Sequence, residues 1–133
     1  MKRQKTSLSL LMFDLDHFKR YNDLKGHLEG DKVLKRIGEI VKHSIRYNVD
    51  SGYRYGGDEF AVLLIGASLD QALAIGERIR SSIEQTDFQN ITVSIGLSEY
   101  RDLYDLEGFV KSADDAMYIA KHSGGNQIHM NTP

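Results

Sequence analysis

The 133-residue chain contains no cysteine, no tryptophan and a single proline, its last residue. Without cysteine there is no disulfide, no thiolate zinc centre and no thiol nucleophile, a composition that suits a reducing cytoplasm. Without an internal proline or a Ser- or Gly-rich stretch, nothing marks a boundary, so a single domain over residues 1–133 is expected. Long apolar runs are also missing. Runs such as Leu10 to Phe13 and Phe60 to Ile65 are far short of the roughly 20 residues of a membrane span. The basic start Met1-Lys2-Arg3-Gln4-Lys5 meets Asp14 too soon to lead a signal segment. Nor is there an excess of one charge. Seventeen Lys and Arg against 19 Asp and Glu leave −2, too weak a field to hold a polyanion, which argues against nucleic-acid binding. A soluble, cytoplasmic chain with no membrane contact from this segment is expected.

What the chain does contain is periodicity. Ser7 to Phe13 is nearly continuously apolar and stops at Asp14, as a buried central strand would. Val33, Leu34, Ile37, Ile40, Val41 and Ile45 recur at helical spacing and predict a helix over 31–45. Tyr53-Arg54-Tyr55 and Phe60 to Ile65 flank Gly56-Gly57, which predicts a hairpin with the glycine pair as its turn. A helix over 69–83, a β-branched strand over 91–97, a helix over 109–121 and a short edge strand over 127–130 follow. The order β, α, α, β, β, α, β, α, β implies an α+β sandwich, ferredoxin-like or palm-like: an antiparallel sheet with helices on one side.

In such a sheet three acids come together: Asp14 at the end of the first strand, and Asp58 and Glu59 past the hairpin turn. Mg²⁺ is held by one or two carboxylates, with waters and substrate phosphates completing its octahedron. Two carboxylates on adjacent strands are a minimal holder, and two such metals serve an in-line displacement at phosphorus. Taken alone, Gly-Gly-Asp-Glu is an ordinary turn and a strand-end Asp an ordinary cap. Their conjunction is what carries weight.

The run Arg54-Tyr55-Gly56-Gly57-Asp58-Glu59-Phe60 resembles the signature of the GGDEF domain family, the diguanylate cyclases. The resemblance extends through Phe13-Asp14-Leu15-Asp16-His17-Phe18-Lys19, Asn22, Gly26-His27, Gly30-Asp31, Thr92-Val93-Ser94-Ile95-Gly96, Ala113-Asp114-Asp115-Ala116-Met117-Tyr118 and Ala120-Lys121. It implies condensation of two GTP into cyclic di-GMP with loss of pyrophosphate. It also implies residue roles. Asp14, Asp58, Glu59 and the Leu15 carbonyl would hold Mg²⁺ or Mn²⁺, two ions per site, with Glu59 also placed to accept the 3′-hydroxyl proton. Asn22 and Asp31 would read guanine, whose N1 and N2 hydrogens a carboxylate can accept. Lys19, Lys121 and the amides around Phe18 would contact phosphates, which Gly56 and Gly57 would let approach the backbone. Tyr21, Tyr55 and Tyr118 read as core or rim packing, and the five histidines form no metal-ligand spacing.

Four departures from the family pattern qualify this. Gly125 stands where an Arg is common, a loss of one charge-assisted phosphate contact costing about 1.5–3 kcal/mol. The family's inhibitory Arg-x-x-Asp motif keeps only Asp50: Tyr47 occupies the Arg position and Arg46 lies one residue early. No tight product feedback is therefore expected. The chain starts too late for the family's leading helix, and it carries no sensory or receiver module of the kind that the resemblance implies in a parent protein. Because cyclic di-GMP is two-fold symmetric, turnover would need a second GGDEF protomer, and the isolated domain would be a weak enzyme. The alternatives are a catalytically degenerate domain that binds GTP as a regulatory module, favoured by Gly125, and a purely structural interaction domain.

Overall fold

The computed structural model describes residues 7–100 and 105–131; the basic start at 1–5 lies outside them. Nine elements occur in the expected order: β1 (Leu8–Asp16), α1 (Phe18–Lys25), α2 (His27–Ser44), β2 (Ser51–Gly56), β3 (Glu59–Ile65), α3 (Leu69–Glu84), β4 (Thr92–Glu99), α4 (Leu106–His122) and β5 (Gln127–Asn131). The sheet order is β2-β3-β1-β4-β5. β1 lies at the centre, antiparallel to β3 and β4, while β5 adds to β4 in parallel and makes the sheet mixed.

Helices cover both faces of the sheet, a correction to the expectation of one. Leu11, Phe13 and Leu15 of β1 pack with Val33, Ile37, Ile75 and Ile79 of α2 and α3. The alternate residues Leu10 and Met12 pack with Phe109, Ala113 and Met117 of α4. The side-chain period of two sends one half of β1 to each core, and its nearly unbroken apolar run already required two covers. The α4 backbone comes so close that a Cβ on Gly96 of β4 would lie 2.1 Å from the Ala113 carbonyl oxygen. Small residues at this crossing are therefore a packing requirement.

Local chemistry sets the helix starts. Ser68 and Gln71 form a reciprocal capping box at α3, and Asp105 accepts from the Gly108 amide at α4. Each cap is worth about 1 kcal/mol. α1 differs: its N-cap His17 is left-handed (φ 66), gives no side-chain cap, and no acid occupies the first turn. Its leading amides are thus left to other acceptors.

The hairpin turn is shifted by one residue from the expected Gly56-Gly57. Gly56 belongs to β2 and pairs with Glu59, so the loop is Gly57 and Asp58, with a register irregularity between Arg54 and Gly56. Gly57 supplies the positive φ (47) that a tight hairpin needs, whereas Gly56 does not take one. The shift puts Asp58 at the tip, where its carbonyl accepts from the Leu15 amide at 3.2 Å.

Candidate active site

β1 and β3 pair in a register that sets Asp14 opposite Glu59, on the sheet face covered by α4. The neighbouring pair Phe13 and Phe60 faces the other way, their rings stacked at 5.3 Å beneath the site. The strand ends are thereby held firmly while the acids project beyond the core.

Asp14 and Asp58 stand side by side. Burial, then the charge of Asp14, pushes the Asp58 carboxyl from the ordinary 3.8 up to about 6. Asp14 Oδ2 accepts from Lys121 Nζ at 2.9 Å. Its Oδ1 is buried with no hydrogen-bond partner. A buried, unpaired carboxylate oxygen beside a second carboxylate is the chemistry a hard divalent cation would satisfy. Among the described residues no three His, Cys, Asp or Glu side chains converge as a ready-made cage. The pair thus suits a cation that completes its shell with water and phosphate, and the histidines form no centre of their own.

The expected guanine-reading residues lie at the α1–α2 junction. Asn22 Nδ2 donates to His27 Nδ1 at 3.0 Å. Gly30 leaves room for that side chain, since a Cβ there would lie 2.1 Å from Asn22 Oδ1. Asp31, next along α2, is exposed, as is Lys19 on α1. Phe18 and Tyr21 lean on the main core, and Tyr21 meets Phe88 edge-on at 6.1 Å. A Cβ on Gly56 or Gly57 would touch nothing within 4 Å. The fold itself therefore gives no steric reason for Gly56, which leaves the hairpin backbone open to a ligand. Tyr118 lies at the rim, stacked on His122 at 3.9 Å.

Asp16 is a residue that sequence reasoning left without a role. It is buried and accepts from Thr92 Oγ1, Ser94 Oγ and the Asn126 amide at 2.8, 2.7 and 2.9 Å. The available signal was Thr92-x-Ser94: two hydroxyls on one face of an otherwise apolar strand need a buried partner.

At the far end of β3, Arg46 is turned inward. Its Nε and Nη2 donate to the two oxygens of Asp50 at 2.9 and 2.7 Å, its amide adds a third bond at 2.8 Å, and Nη2 also reaches the Ile65 carbonyl. Burial would raise the Asp50 carboxyl, but these bonds outweigh it and hold it below the usual range. Tyr47, at 86% exposure, takes no part.

A palm-like α+β sheet with paired acids on its central strands defines a domain of the nucleotide-cyclase type. The sequence matches the family described as "Diguanylate cyclase, GGDEF domain" over residues 1–127, and the chain belongs to that family. Diguanylate cyclase A of Treponema denticola is 42% identical over 132 residues, covering 94% of this chain and 35% of that protein. Diguanylate cyclase DosC of Escherichia coli K12 is 37% identical over 135 residues, covering 96% and 29%. The chain thus spans about a third of the length of these curated relatives. Among solved structures, the GGDEF domain of Caulobacter crescentus DgcB in complex with c-di-GMP superposes with TM-score 0.87 at 28% identity, covering 95% of this chain and 78% of that one. The active GGEEF domain of a Vibrio cholerae diguanylate cyclase gives TM-score 0.88 at 28% identity, covering 96% and 84%. No helix among the described residues is long and apolar enough to cross a membrane.

Proposed function

We propose that this domain condenses two GTP molecules into cyclic di-GMP, as one half of a symmetric pair. The observation that carries the reading is Asp14, whose buried Oδ1 has no partner beside the raised carboxyl of Asp58. Asp14 and Asp58, with Glu59 and the Leu15 carbonyl, would hold Mg²⁺ or Mn²⁺, two ions per site. When bound, such ions neutralise phosphate charge and favour the 3′-alkoxide.

The chain's own residues do the rest. Asn22 and Asp31 accept and donate to the guanine edge, with His27 fixing the Asn22 amide. Lys121, Lys19 and the uncapped amides at Phe18 take the phosphates, and Gly56 and Gly57 let them approach the hairpin. Glu59, opposite Asp14 on the same face, accepts the 3′-hydroxyl proton. The attacked α-phosphate belongs to the nucleotide of the facing protomer, since each domain supplies one GTP to a two-fold symmetric product. A parent protein with a sensory or receiver module would bring the two domains together in the cytoplasm.

Gly125 favours a second reading, a GTP-binding regulatory module without turnover. An enforced dimer incubated with GTP and Mg²⁺ distinguishes them. Cyclic di-GMP that disappears in Asp58→Ala supports the cyclase; GTP binding without product supports the module; neither leaves an interaction domain. The inward Arg46 fork further argues against tight feedback through Asp50. Low-micromolar product inhibition abolished by Asp50→Ala would overturn that point.

A further inference from the structure

Asp14 and Asp16 lie two residues apart on β1 and share a face, yet their surroundings differ. Asp14 keeps one oxygen without a donor. Asp16 is closed: Thr92 Oγ1 and the Asn126 amide donate to Oδ2, and Ser94 Oγ donates to Oδ1. Three bonds take most of the acceptor positions of Asp16, whereas Asp14 accepts a single bond from Lys121, so the two acids are built for different roles. All three donors are neutral. Among the described residues, the cation within ion-pair reach of Asp16 is Lys121, 3.9 Å from Oδ1.

The donors also come from separate elements. Thr92 and Ser94 belong to β4, Asn126 to the turn between α4 and β5, and Lys121 to the last turn of α4. One buried carboxylate therefore ties the C-terminal end of α4 to the two central strands. Gly125 completes the arrangement. It takes φ +72, and a Cβ there would lie 2.9 Å from Asp16 Oδ2 and 3.0 Å from Cγ. A residue with a side chain would lever the turn off the carboxylate.

We infer that Asp16 is a positioning residue: it anchors the α4–β5 turn and holds Lys121 at the mouth of the site, where Lys121 meets the phosphates of GTP. The inference rests on the GTP-binding reading above. Lys121 also bonds Asp14, whose other oxygen has no donor, and Asp16 gives the ammonium a second anion at 3.9 Å. Gly125 is then the complement of Asp16 in this chain as well as a missing phosphate contact.

The test is a double-mutant cycle on the full chain, read as binding of α,β-methylene GTP with Mg²⁺ by calorimetry. That analogue cannot release pyrophosphate, so affinity is read apart from turnover. Asp16→Asn keeps the volume and removes the charge; it is expected to weaken binding about tenfold, but by less than about twofold in a Lys121→Met background. Equal losses in both backgrounds would reduce Asp16 to a structural group, and no loss in either would overturn the inference as well. Should Asp16→Asn fail to fold, Gly125→Ala replaces it in the same cycle with the same expectation. A wild-type chain that binds no analogue sinks the GTP reading itself, whereas binding without coupling sinks the Asp16 assignment alone.

Discussion

Near each end of β3 an aspartate faces a basic side chain, and the two places are built to opposite rules. At the far end Asp50 is buried against the Arg46 fork with both oxygens bonded. At the hairpin end Asp14 and Asp58 crowd each other, and one oxygen is left without a donor. A saturated pair holds the fold together and has nothing to offer a ligand. An unsaturated one costs stability and is therefore the place to look for chemistry.

If this contrast is correct, substitutions at the two ends should fail in different assays. The largest effect is expected for Asp58→Ala in an enforced dimer: cyclic di-GMP formation should fall by about a hundred- to a thousandfold, as when a group aimed at developing charge is removed. The melting temperature should not fall with it. A variant that keeps its activity would break the comparison at its functional end.

Asp50→Ala should do the reverse. Removing the acceptor of three bonds from Arg46 should cost about 2 kcal/mol in denaturant unfolding, toward the lower end for a broken buried pair because Arg46 remains part-exposed. GTP affinity should stay unchanged. Loss of affinity without loss of stability would assign Asp50 to a ligand site after all.

Asp31→Ala addresses what lies between the two ends. With the exposed carboxylate gone, GTP should bind about tenfold more weakly while ATP binding stays the same, which competition binding would show. Equal weakening of both nucleotides would remove Asp31 from guanine recognition.

The smallest effect concerns pH. The folded-state carboxyl of Asp58 is raised to about 6, so the stability it lends is present below about 3.8 and lost as pH rises through 6. Asp50 has the opposite sign: its lowered carboxyl contributes stability above the ordinary range and loses it in acid. In chelator, Asp58→Asn should therefore stabilise the domain by about 1 kcal/mol at pH 7.5, after allowance for solvent screening, and by about a third as much at pH 4.5. Thermal melts at the two pH values would show it, and a gain of equal size at both would discard the repulsion argument.

Much of this was legible in the chain. Period-two and period-3.6 apolar patterns placed all five strands and the long helices, because burial of one face is written directly into residue order. Asp14, Asp58 and Glu59 were identifiable because the apolar run breaks at Asp14 and the glycine turn precedes Asp58 and Glu59, in an order that resembles the family's. Other features were not. That α4 covers the second face depends on Gly96 meeting the α4 backbone, a contact between residues far apart in the chain. The one-residue shift of the turn arose because pairing of Gly56 with Glu59 overrode the local preference of the glycine pair.

Residue order thus supplied the element sequence, the acids at the strand ends and the membership of the family. Folding had to supply the division of labour among identical side chains. Asp14, Asp16, Asp50 and Asp58 are the same residue type, and their fates were settled by what other segments brought to them: Lys121, the Thr92 and Ser94 hydroxyls, the Arg46 fork, and each other. A carboxylate's role depends on which donors reach it and on how much water they displace, and both quantities exist only once distant stretches of chain have packed together.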